Sequence, residues 1–205
     1  AYNSLRRCPY QFFVGRMLRL GELEEVSDEL EKRDVGEVLH AILHRFHRHL
    51  LDAPIHDLVD RQALLQSITD EQFGPMLAED GNALRFYRRW QAVMPSYLAW
   101  QAAREAEGWH FEAGEVDVDT SITLPDERPL RLRGRIDRID AHREHGVAVL
   151  DYKTQSPMVL VRRAKTPFED CQLPFYGVLD ARADAGGWVS LDCEARGDKR
   201  DVALP

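Results

Sequence analysis

Two acids and an amine stand where neighbouring strand-like segments end. Gly134-Arg135-Ile136-Asp137-Arg138-Ile139-Asp140 is followed, after a polar turn, by Val147-Ala148-Val149-Leu150-Asp151-Tyr152-Lys153-Thr154. Side chains at i and i+2 of a strand share a face, so Asp151 and Lys153 point the same way. With Asp137 on the partner strand they form a site for a hard divalent cation and an activated water. That chemistry suits the cutting of a phosphodiester.

Each residue also has a plainer reading. Asp137 can pair at the surface with Arg135 or Arg138, a contact worth little. Asp151 ends an apolar strand, where a carboxylate costs desolvation unless paired or metal-bound, and Lys153 alone could neutralise it. His40 lies at the margin of an apolar helical stripe in a histidine-rich stretch (His40, His44, His47, His49). His40 and His44 at i,i+4 could hold zinc, but Ala41 and Ile42 follow His40, so the HExxH glutamate is missing. Glu115 faces away from Val116 and Val118, together with Asp117 and Asp119, and is taken as an accessory acid. Gln172 and Tyr176 share a helix face at i,i+4.

The elements that must position these groups follow from periodicity. Residues 4–20 read as a helix with Ser4 as cap and Pro9 near its start, followed by an acidic connector, Glu22 to Glu31. Val35, Val38, Leu39, Ile42, Leu43, Phe46 and Leu50 fit a 3.6 period from Val35 to Leu51. Two more helices fit 57–73 and 83–106, broken by Gly74-Pro75 and Gly81. Beyond Trp109 the pattern alternates. Strands over 115–124, 130–140 and 147–153 with short turns suggest an antiparallel meander. Thr166-Pro167-Phe168-Glu169 reads as a helix start with a capping box. Pro174 should kink that helix or confine it to its opening turns. Trp188 to Glu194 closes as a strand. The expected fold is α+β: helices, three strands, a helix, a strand.

Composition sets further bounds. Hydrophobic content of 44% over 205 residues supports a real core. The net charge of −8 argues against nucleic-acid binding by bulk electrostatics, although a bound metal can supply positive charge locally. The clusters Arg85/Arg88/Arg89, Arg131/Arg133/Arg135 and Arg162/Arg163/Lys165, read alone, are solvated faces. No apolar run approaches the roughly 18–20 residues of a membrane span. The arginine-bearing start has no h-region, so no signal peptide is expected. Cys8, Cys171 and Cys193 are widely spaced, with no CxxC, so neither a disulfide framework nor a zinc ribbon is expected and a reducing, cytoplasmic setting is. The start at Ala1 and stop at Leu204-Pro205 suggest a piece of a longer protein.

Five motifs in order resemble the RecB-type nuclease domain of the PD-(D/E)XK superfamily, found in bacterial helicase–nuclease repair proteins. They are Cys8-Pro9-Tyr10-Gln11-Phe12-Phe13, Gly36-Glu37-Val38-Leu39-His40, Gly134 to Asp140, Asp151-Tyr152-Lys153-Thr154, and Gln172-Leu173-Pro174-Phe175-Tyr176. The resemblance spans nearly the whole chain. It implies a restriction-endonuclease-like core, a mixed sheet of about four to five strands flanked by helices, in one domain over residues 1–205, with residues 1–106 as its helical part. It implies Mg²⁺ or Mn²⁺ held by His40, Asp137, Asp151 and the Tyr152 carbonyl, with Lys153 acting on the attacking water. Gln172 and Tyr176 would position the site or touch the strand. Arg135, Arg138, Arg162 and Arg163 would serve as nucleic-acid contacts, and Asp140 would be structural. The implied activity is DNA cleavage, at single strands or ends, alongside a helicase domain or subunit, in repair or recombination. The rivals are an inactive nuclease fold that only binds DNA or a partner, and the zinc hydrolase on His40 and His44. Gln155 stands where many relatives carry glycine. Some relatives hold an iron–sulfur cluster with four cysteines. Three cannot complete it, so no full cluster is expected within the chain, and Cys8 reads as a small buried hydrophobe.

Overall fold

A computed structural model describes Leu5 and residues 8–18, 32–165, 171–192, 195 and 200–203. A short helix α1 (Pro9–Phe12) runs into a π-helical turn, Phe13–Met17. Three long helices follow, α2 (Lys32–Asp52), α3 (Leu58–Glu79) and α4 (Ala83–Ala106). Then come strands β1 (Trp109–Thr123), β2 (Pro129–His142) and β3 (Gly146–Lys153), helices α5 (Pro157–Ala164) and α6 (Gln172–Leu179), and strands β4 (Ala183–Ser190) and β5 (Asp201–Ala203). The sheet has five strands in the order β1-β2-β3-β4-β5. The β1-β2-β3 meander is antiparallel, whereas β3 and β4 are parallel, joined by a crossover through α5 and α6. The result is the expected α+β class with a mixed sheet.

Each face of the sheet is covered. On one side Val35, Leu39, Ile42, Leu43 and Phe46 of α2 join α3 and α4 over Leu150, Tyr152 and Val189. On the other, Leu160 of α5 and Leu173, Tyr176 and Leu179 of α6 pack on Ile136, Ile139, Val149 and Trp188. The apolar stripe expected for α2 is the buried one.

Some boundaries differ from the sequence reading. Helix α3 runs through Gly74-Pro75 to Glu79. Proline removes one backbone donor late in the helix, and buried Phe73 with partly buried Met76 and Leu77 holds the last turn onto the core. Helix α5 is additional to the expected elements, although Ser156-Pro157 is an ordinary helix start with proline at its first position. Strand β4 begins at Ala183, before Trp188, because Gly186 and Gly187 pair with Val149 and Leu150 of β3 despite low strand propensity. A side chain at Gly187 would crowd the Val202 carbonyl of β5 at 3.2 Å. The Ser4 cap, the Glu22 to Glu31 connector and the Thr166 to Glu169 helix start lie outside the described residues. Pro174 does sit in the opening turn of α6.

A fork in the sheet positions the site. The β2–β3 ladder runs from His142↔Gly146 to Arg138↔Leu150 and stops. Beyond it β2 continues with β1 as a two-stranded ribbon, while β3 continues beside β4. Asp137 and Asp151 are the first residues past the last pair.

Candidate metal and catalytic site

At the fork the backbone groups of Tyr152 that would have met β2 need other partners. Its N–H donates to Asp137 Oδ2 at 3.1 Å, and its carbonyl lies 3.3 Å from His40 Nε2. The place where the ladder ends thus recruits one acid from β2 and one imidazole from α2. His40 reaches it from the middle of α2, and its ring meets the Tyr152 ring edge-on, centroids 5.7 Å apart.

The other ring nitrogen, His40 Nδ1, faces two carboxylates, Glu115 Oε1 and Asp137 Oδ2, each at 3.5 Å. Donor atoms of His40, Glu115 and Asp137 all lie within 4.8 Å of one another. Glu115 stands across the ribbon from Asp137, between the pairs Gly114↔Arg138 and Val116↔Ile136. Its backbone takes a left-handed conformation, φ 51°, which is costly for a residue with a side chain and recurs where a site needs it. Gly114 beside it lets α2 come close: a side chain there would meet the Asp137 carbonyl and His44 Nδ1, both at 3.1 Å.

Asp151 faces the α6 side and is 1% exposed. Its Oδ1 accepts from Gln172 Nε2 at 2.5 Å and from the Tyr176 hydroxyl at 3.1 Å. That hydroxyl lies 3.4 Å from Asp137 Oδ1 and 3.2 Å from Gln172 Nε2, so it ties the two acids together. Lys153 Nζ lies 2.5 Å from Asp151 Oδ2, an ion pair. That buried oxygen has no hydrogen-bonding geometry with any partner among the described residues.

Exposed Arg135 lies 3.5 Å from Glu115 Oε2, which leaves the buried pair Asp137 and Asp151 to share Lys153 and His40. Burial and the neighbouring Asp151 charge push the Asp137 carboxyl up to about 7, against the pull of His40, the Tyr152 N–H and Lys153. Burial opposes the charged form of His40, but its bond to Glu115 and the charges of Asp137 and Asp151 outweigh it, and its pKa rises. The bond from His40 lowers Glu115 despite partial burial. Burial, then the charges of Asp151 and Asp137, raise the Tyr176 phenol.

A model of the PD-(D/E)XK nuclease superfamily matches residues 1–195. The chain belongs to that superfamily. Its sheet and flanking helices are the restriction-endonuclease-like α+β fold of this nuclease superfamily. The chain is also similar to an ATP-dependent helicase/deoxyribonuclease subunit of Staphylococcus saprophyticus, 26% identical over 179 residues. That alignment covers 75% of this chain and 15% of the relative, so the chain spans a small part of that relative's length. The likeness supports the RecB-type branch of the PD-(D/E)XK nucleases.

PD-(D/E)XK nucleases use divalent metals, and the donor set here fits one. Imidazole nitrogen and carboxylate oxygen are both donors to divalent cations. Metal-binding histidines characteristically give their second nitrogen to a carbonyl or carboxylate, which is how His40 meets Tyr152. The buried Asp151 oxygen without a hydrogen bond is a further acceptor with capacity to spare.

The structure brings together His40, Glu115, Asp137, Asp151, Lys153, Gln172 and Tyr176, with Asp151 outside the His40–Glu115–Asp137 triplet. The Tyr152 carbonyl, expected as a ligand, is engaged by the His40 ring. His44 also stays outside the triplet, its buried Nδ1 without a hydrogen bond among the described residues. Arg138 corrects the sequence reading, which groups it with nucleic-acid contacts. It is 1% exposed and bonded to Asp140, its charge enclosed within the helical side of the fold. Asp140 is fully buried there, paired with Arg138 and Arg104. Arg135 is exposed and bonds Asp117 at 2.9 Å. Arg162 is exposed at the end of α5, and half-buried Arg163 lies over the Trp188 ring and bonds Gln155. Cys8, expected to be buried, is only half so, and Cys193 falls outside the described residues. Among the described residues no helix is long and apolar enough to cross a membrane.

Proposed function

We propose that this domain is a divalent-metal-dependent deoxyribonuclease, acting as an exonuclease on single strands or DNA ends in repair or recombination, in the cytoplasm. The observation that carries the reading is the grouping at the fork: His40, Glu115 and Asp137 with donor atoms within 4.8 Å of one another, and the Asp151–Lys153 pair joined to Asp137 through the Tyr176 hydroxyl. His40, Asp137 and Asp151 would hold Mg²⁺ or Mn²⁺, with Glu115 as a further carboxylate within reach. When bound, the ion supplies Lewis acidity at the phosphate and lowers the pKa of a water.

The chain's own residues supply the rest. The Lys153 ammonium, steered by its contact with Asp151, orients the attacking water and offers positive charge to the oxygens of phosphorus as they become more negative. Gln172 and Tyr176 bond Asp151 and fix the rotamer that aims its second oxygen at Lys153. The Tyr152 carbonyl orients the His40 ring. The new bond joins water oxygen to phosphorus, the bond that breaks joins phosphorus to the departing sugar oxygen, and the proton the water gives up to solvent is balanced by one that the departing oxygen takes from it. A helicase domain or subunit would feed single strands to the site, in keeping with the helicase–deoxyribonuclease name of the relative.

The test is cleavage of end-labelled single- and double-stranded DNA by the purified domain with Mg²⁺, Mn²⁺ or chelator. The parent cuts with metal and not with chelator. Lys153→Ala loses at least about a hundredfold, the scale of removing one transition-state charge partner, while its circular dichroism is unchanged. A parent that retains DNA but never cuts it would favour the binding-only module. A Lys153→Ala variant as active as the parent would discard the assignment of the amine.

A further inference from the structure

Arg138 is shut off from solvent and from any substrate, yet its guanidinium touches five side chains. Nε and Nη2 bond Asp140 at 2.7 and 3.1 Å, and Nη2 also bonds Gln101 Oε1 at 2.8 Å. Nη1 lies 3.1 Å from each of His47 Nε2, Tyr97 Oη and Tyr152 Oη. Trp100 and Phe111 flank it, with ring centroids 5.2 and 5.6 Å from its carbon. Arg104 bonds the second oxygen of Asp140 at 2.6 Å, and His47 is held neutral by its burial and by the Arg138 and Arg61 charges. The cage therefore ties α2, α4, β2 and β3 together.

Tyr152 joins this cage to the site. Its hydroxyl is held by Arg138 and lies 3.1 Å from the Tyr97 hydroxyl. Its ring abuts the His40 ring. Its peptide gives N–H to Asp137 and carbonyl to His40. One rigid, buried side chain thus has its tip in the cage and its root between two of the acid–imidazole groups. The geometry points to Arg138 as a positioning residue for the metal site, acting through Tyr152. A buried ion pair is seldom the most stable filling for a core, since apolar residues of like volume often do as well or better. What this one provides is a fixed location: the guanidinium fork has a single orientation that satisfies all five partners, and it passes that orientation to the strand that carries the site. The inference rests on the nuclease reading.

The experiment is Mn²⁺ titration calorimetry on the intact chain, with melting temperature and a split of kcat and KM for single-stranded DNA measured alongside. Tyr152→Phe removes one hydroxyl and leaves the ring, the peptide and the other four Arg138 partners. Loss of support behind a metal ligand commonly costs about ten- to a hundredfold in affinity, so Mn²⁺ should bind at least about tenfold more weakly. Cleavage should drop in kcat with KM for DNA unmoved. Gln101→Leu, which loosens the guanidinium without touching Tyr152, should weaken Mn²⁺ in the same direction. Thr69→Val is the control: it deletes a buried hydroxyl that accepts from Trp90 Nε1 and is not a partner of Arg138 or Tyr152, and should lower the melting temperature while leaving Mn²⁺ affinity intact. Equal Mn²⁺ affinity and kcat in parent and Tyr152→Phe would overturn the positioning role. So would a Thr69→Val variant that lost affinity to the same degree, since general softening would then explain both. A parent that takes up no Mn²⁺ would remove the nuclease reading itself, and the positioning role with it.

Discussion

Asp137 and Arg138 are neighbours in the chain and occupy opposite kinds of electrostatic surroundings. On the Arg138 side every charged group has a partner: Asp140 answers Arg138 and Arg104, and a neutral imidazole, an amide and two phenols absorb the remaining donors. On the Asp137 side three acids meet one lysine, one imidazole and, at the exposed edge of Glu115, Arg135; the two buried acids lie together and the Asp137 carboxyl is pushed up to about 7. A fully satisfied buried network rigidifies and specifies. An under-satisfied one is held in place by its surroundings and invites a ligand. The two lie back to back, with Tyr152 spanning them.

The sharpest way to break the comparison is to neutralise an acid in each. Asp140→Asn leaves the Arg138 charge enclosed and uncompensated, which should cost about 3–5 kcal/mol, read by urea unfolding. Asp137→Asn should do the reverse in metal-free protein at pH 8: removing a like charge beside Asp151 should leave stability unchanged or raise it, though Mn²⁺ binding is lost. Similar losses from both would mean that the site is as well compensated as the cage.

A finer probe is pH. The Asp137 carboxyl sits near 7 in the folded chain against roughly 3.9 when unfolded. The folded state binds that proton more tightly, so its contribution is present at low pH and is lost as pH rises from about 4 to about 7. His40, also raised, adds in the same sense above its unfolded value near 6.5. Metal-free stability should therefore fall across this window, the fall should shrink in Asp137→Asn, and saturating Mn²⁺ should offset it, because ligands must be deprotonated to bind. The smallest effect is expected on the ribbon. Arg131 forms a two-pronged bond to Asp119 at 2.6 Å, but both are exposed, and Arg131→Ala should not move the melting temperature measurably.

Much of the site was legible because it follows from period and spacing. The i,i+2 rule put Asp151 and Lys153 on one face, and i,i+4 put Gln172 with Tyr176; the short bonds among Asp151, Lys153, Gln172 and Tyr176 match both. The helical period of α2 placed His40 at the rim of its apolar stripe, where it could reach past the core. Arg138 was misread because its neighbours in sequence are charged. Alternation alone does not place it: Leu132 and Ile136 pack on the α6 side, as does Ile139, whereas Arg138 and Asp140 face the helical side, so the strand changes its facing at the fork. Glu115 was seen as outward-facing, but nothing local announces a left-handed glutamate or the close pass of α2 over Gly114. Pro75 and the glycine-rich start of β4 were decided by tertiary packing, which outweighs local propensity.

The fork has a consequence for how such a fold can vary. The ribbon beyond it turns back at residues 124–128, where Leu124 N–H bonds the Arg128 carbonyl. From Pro129 to Asp137 is eight residues, about 27 Å of extended chain at the usual rise. Because β3 does not follow the ribbon, residues could be added at its tip, two by two, without shifting the register at Asp137. The hairpin is thus an adjustable arm, free to be resized to whatever it reaches for, while its anchored end keeps the acids and the imidazole in register.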